Sequence, residues 1–232
     1  MTNQHLIAMN FIDIHTHQLS ITNKESVYNI FVQEYNLSDY SEKKYCSIGL
    51  HPYHLSLPIA IDYCLQEILP NALQASKNII AIGETGLDRV ITTDFELQKA
   101  VFQRHIQLAE QLQKPLIIHC VRAYSDMLAI LKKEKPQQKW IFHGFQANEV
   151  QLKEFLRYSN TYFSFGAALL HRPAVQKLFQ LTPLERCFLE TDDKDLPIEA
   201  IYVQAAVLKN CELTILKENI FNNFTTIFHQ KL

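Results

Sequence analysis

The sequence predicts an α/β fold, a (β/α)8 TIM barrel, from three observations. Eight short runs of apolar and β-branched residues recur along the chain, and amphipathic patterns with helical spacing separate several of them. Strands that alternate with helices favour a parallel sheet, and eight of them favour a closed barrel over an open sheet. The length of 232 residues is also that of one barrel. We therefore expect a single domain over residues 1–232.

The candidate strands are the apolar runs, taken in chain order. In the first, FIDIHTH, side chains alternate between two faces, so that Asp13, His15 and His17 share one face and Ile12 and Ile14 the other. The second, YNIFVQ, has the weakest pattern. The eight runs cover residues 11–17, 28–33, 45–51, 79–84, 115–120, 140–145, 161–166 and 187–192.

The clearest predicted helix follows Thr93, where T-D-F-E offers a capping box. Leu97, Val101 and His105 begin a series of residues spaced by three or four, which Pro115 stops. Further helices are predicted at about 124–134, at 149–157 after an Asn148 cap, at 174–180 after Pro173, and at 198–209 and 215–230.

Composition restricts the kind of partner that the chain can bind. Apolar residues make up 47% of the chain and charged residues 20%, which excludes an intrinsically disordered protein. The formal net charge is −2, so the chain lacks the broad positive field that holds long duplexes through many phosphates. A nucleic-acid substrate has to be held locally, which favours short or single-stranded DNA.

Cysteine usage and the N-terminal segment predict the compartment. The five cysteines form no C-x-x-C pair, and Cys46, Cys120 and Cys187 lie in apolar runs, as buried thiols of a reducing compartment do. The segment MTNQHLIAMNFID lacks the pattern of a secretory signal, and no window approaches 18 uninterrupted apolar residues. We expect a cytoplasmic protein without a membrane segment, and we predict no obligate protein partner.

Polar side chains end most of the candidate strands. In a (β/α)8 barrel, the carboxyl ends of the strands surround one mouth, where active sites lie. A single histidine at the end of an apolar run is more often structural, but a set of seven converging residues favours a site. Buried carboxylates are costly unless they are paired or coordinate cations. The seven residues are His15, His17, His51, Glu84, His119, His143 and Asp192.

The chemistry of this set predicts divalent metal ions. Its ligand atoms are nitrogen and oxygen without thiolate, because Cys120 follows His119 and points to the opposite face. Such ligands suit Zn²⁺, Mn²⁺, Fe²⁺, Ni²⁺ or Co²⁺ better than Ca²⁺. A structural zinc usually takes four ligands rich in cysteine, so a larger set indicates two ions that share a bridging ligand. We expect two divalent ions, with Mg²⁺, Mn²⁺ and Zn²⁺ as the candidates.

An ordered set of motifs resembles the TatD family of metal-dependent hydrolases. The motifs are HTH, GLHP, GETGLD, IIHCVRA, FHGF and LETD, spread from residue 15 to residue 192, and the tail ENIFNNFTTIF resembles that family's last helix. The resemblance covers nearly the whole chain. It implies a TIM barrel of the metal-dependent hydrolase type and the hydrolysis of a phosphate ester, as in a TatD-type deoxyribonuclease.

The resemblance also implies a role for each residue of the set. His15, His17 and Asp192 would hold one metal ion, His119 and His143 the second, and Glu84 would bridge the two. A bridging ligand between two cations has to be anionic, which Glu84 satisfies. Asp192 would orient a water activated by the ions and take its proton, which makes Asp192 and Glu84 the catalytic residues. His51 resembles a residue that faces the substrate phosphate; alternatively, it only supports a metal ligand.

The sequence departs from the family pattern in several places, two of which concern residues that would hold the substrate. Many members carry an arginine two residues after the histidine of the fifth strand, whereas Arg122 lies three residues after His119. Arg122 either reaches a substrate phosphate or is a solvated residue at the start of a helix. The second departure follows the eighth strand, where the chain lacks the longer basic loop of the family and enters a helix at once.

Several further residues have two interpretations each. Asp88 either resembles a family residue or stabilises a turn, and Asp193 and Asp195 line the site or belong to a charged loop. The aromatic residues near strand ends either stack on bases or pack in the core; they are Tyr53, Phe145 and Phe165.

The function predicted from these observations is a two-metal phosphodiesterase that acts on DNA ends or on small nucleotide-containing substrates. One alternative keeps the metal ions and changes the bond, as in a metal-dependent ester or amide hydrolase such as an aminoacyl-tRNA deacylase. A second alternative is a non-catalytic scaffold that retains the fold.

Overall fold

A computed structural model describes residues 10–18, 24–35, 44–55 and 58–229. In this part of the chain, eight parallel strands form one sheet in which each strand lies beside the next in sequence. This order confirms the predicted (β/α)8 barrel. The strands are β1 (Phe11–Thr16), β2 (Lys24–Phe31), β3 (Tyr45–Gly49), β4 (Ile79–Asp88), β5 (Leu116–Val121), β6 (Trp140–Phe142), β7 (Thr161–Phe165) and β8 (Cys187–Leu189).

The first and last strands meet at the carboxyl end of the barrel. A parallel bridge joins Thr16 to Asp192, just beyond the end of β8. The backbone N–H of Asp192 donates to the His15 carbonyl at 3.0 Å, and the N–H of His17 donates to the Asp192 carbonyl at 3.1 Å. These hydrogen bonds nearly close the sheet and place the two ends of the motif series side by side.

Helices follow the strands around the outside of the sheet. Asn148 caps its helix through a capping box with Gln151, as predicted. The cap after β4 differs from the prediction, because the Asp94 side chain, not that of Thr93, accepts from the N–H of Leu97 at 2.8 Å. The helices are α1 (Pro58–Tyr63), α2 (Leu69–Ala75), α3 (Phe95–Leu112), α4 (Tyr124–Glu134), α5 (Glu149–Phe155), α6 (Pro173–Leu181), α7 (Ile198–Lys209) and α8 (Leu213–Phe228). Residue 230, where the last helix was predicted to end, lies outside the described residues.

The helical segment between β3 and β4 was not predicted from the sequence. A π-helical turn, Cys64–Ile68, joins α1 to α2, and Pro70 follows directly within the first turn of α2. Proline has no backbone N–H and its ring displaces the carbonyl four residues earlier, which breaks the regular α-helical register. The wider turn accommodates this proline, so the segment stays helical on both sides of it.

Strand boundaries differ from the prediction where the barrel mouth begins. The strand predicted at 28–33 spans Lys24–Phe31, and β6 and β8 end three residues earlier than predicted. In contrast, β4 continues past Glu84 to Asp88 and pairs Gly86 with His119 of β5. Gly86 has a φ of 153°, and a Cβ there would overlap the His119 carbonyl oxygen, so only glycine fits this close approach.

The core fills the space between the sheet and the helices. Ile12 and Ile14 are buried on the helix side of β1, and the Tyr202 hydroxyl of α7 accepts from the Ile12 N–H and donates to its carbonyl. Phe145 and Phe165 are fully buried, which assigns them to the core rather than to base stacking, whereas Tyr53 is 68% exposed. The predicted burial of Cys46, Cys120 and Cys187 is confirmed.

In the described ranges, no helix combines the length and the apolar character that a membrane span requires. The prediction of one domain over residues 1–232 includes residues beyond these ranges and stays a prediction.

Candidate metal centre

The barrel brings together all seven of the ligand-type residues predicted from the strand ends. They come from β1 and the turn after it, from β4 and β5, and from the segments that follow β3, β6 and β8. Glu84 lies within β4 rather than at its end, because that strand continues for four more residues. The seven are His15, His17, His51, Glu84, His119, His143 and Asp192.

The Glu84 carboxylate lies at the centre of the cluster and is almost fully buried. Its Oε1 atom is 2.7 Å from Nδ1 of His119, 2.7 Å from Nε2 of His143 and 3.2 Å from Nε2 of His51. One oxygen therefore contacts His119 of β5 and the two histidines that follow β3 and β6.

The second oxygen of Glu84 faces the other side of the mouth. Its Oε2 atom is 3.4 Å from Nε2 of His15 and 3.5 Å from Nε2 of His17. The same two nitrogens lie 3.6 Å and 3.5 Å from Oδ1 of Asp192. Glu84 thus stands between two sets of ligand atoms, with one oxygen directed to each.

Among the residues that the structure describes, three groups of side chains have ligand atoms within 4.8 Å of one another. They are His15 with His17 and Asp192, His15 with Glu84 and His143, and His51 with Glu84 and His119. The first matches the set implied for one ion. The set expected for the second ion, His119 and His143 with Glu84, is not one of these groups. His119 groups with His51 and Glu84 instead. His143 groups with Glu84 and with His15, and the rings of His143 and His15 lie 4.4 Å apart.

The donor set fits divalent cations. The Nε2 atom of His15 is buried, lies 3.4 Å from Glu84 and 3.6 Å from Asp192, and makes no hydrogen bond within the described residues. Buried polar atoms in proteins are normally satisfied, so this nitrogen indicates a group that completes the site. Imidazole and carboxylate together suit Zn²⁺, Mn²⁺ and similar ions.

The charged groups of the cluster shift one another's pKa values. Burial by itself would raise the pKa of Glu84, but the charge of His143 and hydrogen bonds from His119 and His143 hold that pKa well below its usual range. Burial would lower the pKa of His17, but Asp192 and Glu84 raise it to about 9. Without metal, Glu84 and Asp192 thus pair with a protonated His17, and a bound cation would displace that proton.

Asp88 orients His119 from the far end of β4. Its Oδ2 atom is 3.0 Å from Nε2 of His119, and its Oδ1 atom accepts from the N–H of Val90 at 2.7 Å. With Nε2 held by Asp88, the Nδ1 atom of His119 faces Glu84. Asp88 therefore stabilises a turn through Val90, and it also supports His119, a histidine of the centre.

The hydrogen bonds of His51 define its tautomer. The Tyr53 N–H donates to Nδ1 of His51 at 3.1 Å, so the proton of the neutral ring lies on Nε2. That nitrogen points at Glu84 Oε1, and burial lowers the pKa of His51, which keeps the ring neutral. His51 accordingly presents a hydrogen-bond donor to the centre.

Two residues that support the centre were missed in the sequence. Glu190 is fully buried; its Oε1 atom accepts from the Gly144 N–H at 2.6 Å and lies 3.6 Å from Nδ1 of His143. The Asn29 Oδ1 atom accepts from the backbone N–H of Glu84 at 2.7 Å. Glu190 precedes Asp192 by two residues in LETD, a spacing that could have indicated it, whereas Asn29 lies in the run with the weakest strand pattern.

Three predicted candidates lie outside the cluster. Arg122 is exposed directly after β5, with a left-handed backbone at φ 52°. Asp193 pairs with Lys194 at 2.9 Å on the surface, and Asp195 is exposed in the same segment. The two aspartates thus belong to a charged loop.

A cavity of about 260 Å³ opens beside Asp192, between the segments that follow β6, β7 and β8. Glu190 and Asp192 line one side of it, and Arg172 and Lys194 also contribute to its wall. The cavity provides space for a small group next to the cluster.

Comparisons with known proteins agree with this architecture. The family described as TatD related DNase matches residues 11–229. The uncharacterized metal-dependent hydrolase YcfH of Escherichia coli strain K12 is 30% identical over 200 residues, which cover 79% of this chain and 73% of that protein. The 3'-5' RNA nuclease TATDN2 of Homo sapiens is 38% identical over 154 residues, which cover 63% of this chain and 19% of that protein.

Among solved structures, the fold is similar to that of YJJV, a TatD homolog from Escherichia coli K12. The TM-score is 0.82 at 20% sequence identity, and the match covers 96% of this chain and 99% of the other. At this identity, the similarity supports the fold.

Proposed function

This chain belongs to the TatD-related DNase family and is a metal-dependent hydrolase, and on that premise we propose that it is a phosphodiesterase. It uses two divalent cations and cleaves phosphodiester bonds at DNA ends or in small nucleotide-containing substrates. The family and its relatives, one of them named a 3'-5' RNA nuclease, support a nuclease role.

A single observation carries this proposal: both oxygens of the buried Glu84 carboxylate face ligand-type side chains, on opposite sides. Oε1 contacts His119 and His143 at 2.7 Å each, while Oε2 is 3.4 Å from His15 and 3.5 Å from His17. A carboxylate that serves two sets of ligands is the arrangement expected of a bridge between two cations.

We assign the side chains that would hold the cations as follows. His15, His17 and Asp192 hold the first, His119 and His143 the second, and Glu84 both. When bound, Mg²⁺, Mn²⁺ or Zn²⁺ supplies Lewis-acid activation of water and neutralises charge on the phosphoryl oxygens.

Asp192 is the proton acceptor in this proposal. Its side chain is 35% exposed, against 4% for Glu84, so it can meet a solvent molecule and a substrate together. Its Oδ1 atom faces His15 and His17, and its Oδ2 atom is the oxygen that we propose takes the proton from the attacking water.

Two further residues contact the substrate in this proposal. His51 carries its ring proton on Nε2 and donates it as a hydrogen bond to a phosphate oxygen in place of Glu84 Oε1. Arg122, exposed directly after β5, pairs with a phosphate from the rim. The net charge of −2 supports short or single-stranded substrates, and the buried thiols of Cys120 and Cys187 support the cytoplasm as compartment.

The experiment that tests the function compares two classes of bond. The purified protein is given Mg²⁺, Mn²⁺ or Zn²⁺ in turn, with 3′-labelled single-stranded DNA, a matching RNA, and a panel of acyl esters that includes aminoacyl-tRNA. We expect metal-dependent cleavage of the nucleic acid and its loss in Glu84→Gln. Turnover of the acyl esters alone would contradict the phosphodiesterase and favour the ester or amide hydrolase.

A further inference from the structure

Four aromatic rings form a row that leads away from the metal centre. The His17 ring stacks on Phe31 with 5.3 Å between centroids, and Phe31 lies 4.9 Å from His54. His54 then meets Tyr53 edge to face at 5.6 Å. We call these four residues the aromatic path. It begins at a ring that faces Glu84 and Asp192, and it ends in solvent.

The local backbone explains why the path points outward. Phe31 ends β2, and a short 3₁₀ turn, Pro52–His54, follows His51. The Tyr53 N–H donates to Nδ1 of His51, which fixes the inward ring of His51 and the position of Tyr53 on the same turn. Tyr53 is 68% exposed, while Phe31 and His54 are partly buried beneath it.

An exposed tyrosine at the end of partly buried rings presents a flat apolar face that folding does not use. Every base has a π face, and stacking on aromatic side chains is the usual way in which proteins hold single strands without reading their sequence. No lysine or arginine belongs to the path, so binding there would come from stacking rather than from pairing with phosphates.

We propose that the aromatic path is a stacking platform for unpaired bases, with Tyr53 against a base of the strand whose phosphate lies at Glu84. The proposal rests on the phosphodiesterase function above and assigns to its single-stranded substrate a residue that contacts a base. Bases within a duplex remain stacked on one another and are not free to use the path.

The experiment measures binding by fluorescence anisotropy with Mg²⁺-loaded protein. The probes are a labelled oligothymidylate with slowly hydrolysed phosphorothioate linkages and an abasic strand of the same length and linkage. We expect Tyr53→Ala to raise the Kd for oligothymidylate by about 5- to 150-fold and Tyr53→Trp to keep it near the wild-type value. The abasic strand should bind wild type and Tyr53→Ala alike.

Tyr63→Ala is the matched control, because Tyr63 is 61% exposed at the end of α1 and is not part of the path. Its Kd for oligothymidylate should equal that of wild type. Tyr53→Ala keeps the backbone N–H that His51 accepts, and thermal unfolding checks that the turn remains folded.

Three results would overturn the stacking proposal: an unchanged Kd in Tyr53→Ala, an equal loss of affinity for the abasic strand, or no binding of oligothymidylate by wild type. Cleavage of an unmodified oligonucleotide by wild type is measured in parallel. If cleavage occurs and Tyr53→Ala binds oligothymidylate like wild type, only the stacking platform fails. If cleavage is absent for every metal, the proposed function itself fails.

Discussion

Glu190 and His143 form a buried pair behind the metal centre, with Oε1 of the carboxylate 3.6 Å from Nδ1 of the ring. The same oxygen accepts from the N–H of Gly144, the residue after the histidine. A negative charge in this position favours a proton on Nδ1 of the ring, whose other nitrogen, Nε2, faces Glu84 at 2.7 Å.

Replacing Glu190 therefore tests whether it positions His143. Glu190→Gln keeps an acceptor for Gly144 but removes the negative charge beside the ring. We expect metal affinity or turnover to fall by about 10- to 100-fold with little loss of stability. Isothermal titration with Mn²⁺ and thermal unfolding measure the two effects. Wild-type metal affinity and turnover in this variant would show that the carboxylate has no positioning role.

Removing the bridging carboxylate is expected to affect both ions. Glu84→Ala should bring bound metal below two equivalents and abolish turnover, because both cations would lose an anionic ligand at once. Metal analysis after dialysis gives the stoichiometry. Glu154→Ala is a suitable control, since Glu154 is a partly exposed residue of α5 that pairs with Arg157 at 3.1 Å and is not part of the cluster, so its loss should leave the metal content unchanged. Two ions and a normal rate in Glu84→Ala would mean that the bridge is misassigned.

Metal binding is expected to release protons. In the metal-free protein, burial would lower the pKa of His17, yet Asp192 and Glu84 raise it to about 9, so the ring is protonated at pH 7. A ligand histidine has to be neutral, so binding displaces the proton, and metal affinity should rise from pH 7 towards pH 9. Calorimetry in two buffers with different ionisation enthalpies counts the protons. Equal heats in both buffers would contradict this linkage.

His105 should make stability depend on pH independently of metal. Its Nε2 atom accepts from the Leu50 N–H, and burial lowers the pKa of His105 from 6.5 to about 4. Between these values the unfolded chain binds a proton and the folded chain does not, so the free energy of unfolding falls as the pH falls. From pH 7 to pH 5 this residue should remove about 2 kcal/mol.

The variant His105→Gln isolates this effect, because it keeps an acceptor and does not titrate. Urea unfolding of both proteins at pH 7 and pH 5, in the presence of a chelator, gives the difference. We expect wild type to lose about 2 kcal/mol more than the variant over this interval. Parallel pH profiles for the two proteins would show that His105 is protonated to the same extent in both states.

The part of the site that the sequence revealed depends on the regular geometry of parallel strands. His15 and His17 could be assigned to one face because side chains alternate along a strand, and Glu84 and His119 could be grouped because strand ends converge. These inferences need only the strand period and the barrel topology, not exact boundaries. Glu84 was accordingly placed correctly in the cluster, although its strand continues to Asp88.

The part that sequence reasoning missed depends on side-chain hydrogen bonds between distant segments. Asn29 supports Glu84 across a sequence separation of 55 residues, and Glu190 supports Gly144 across 46. No local pattern records such a contact. The helical segment around Pro70 was missed for a different reason, because a π-helical turn accommodates a residue that normally ends a helix.

The backbone hydrogen bonds of Asp192 with His15 and His17 have a consequence for biosynthesis. They join residues 177 and 175 positions apart, so the seam of the barrel closes only after nearly the entire chain has emerged. Contacts over so long a separation form late and slowly in folding. A growing or truncated chain that ends before β8 lacks Asp192 and cannot seal the first strand against the last. With the role proposed for Asp192, such a chain also lacks the group that accepts the proton of the attacking water.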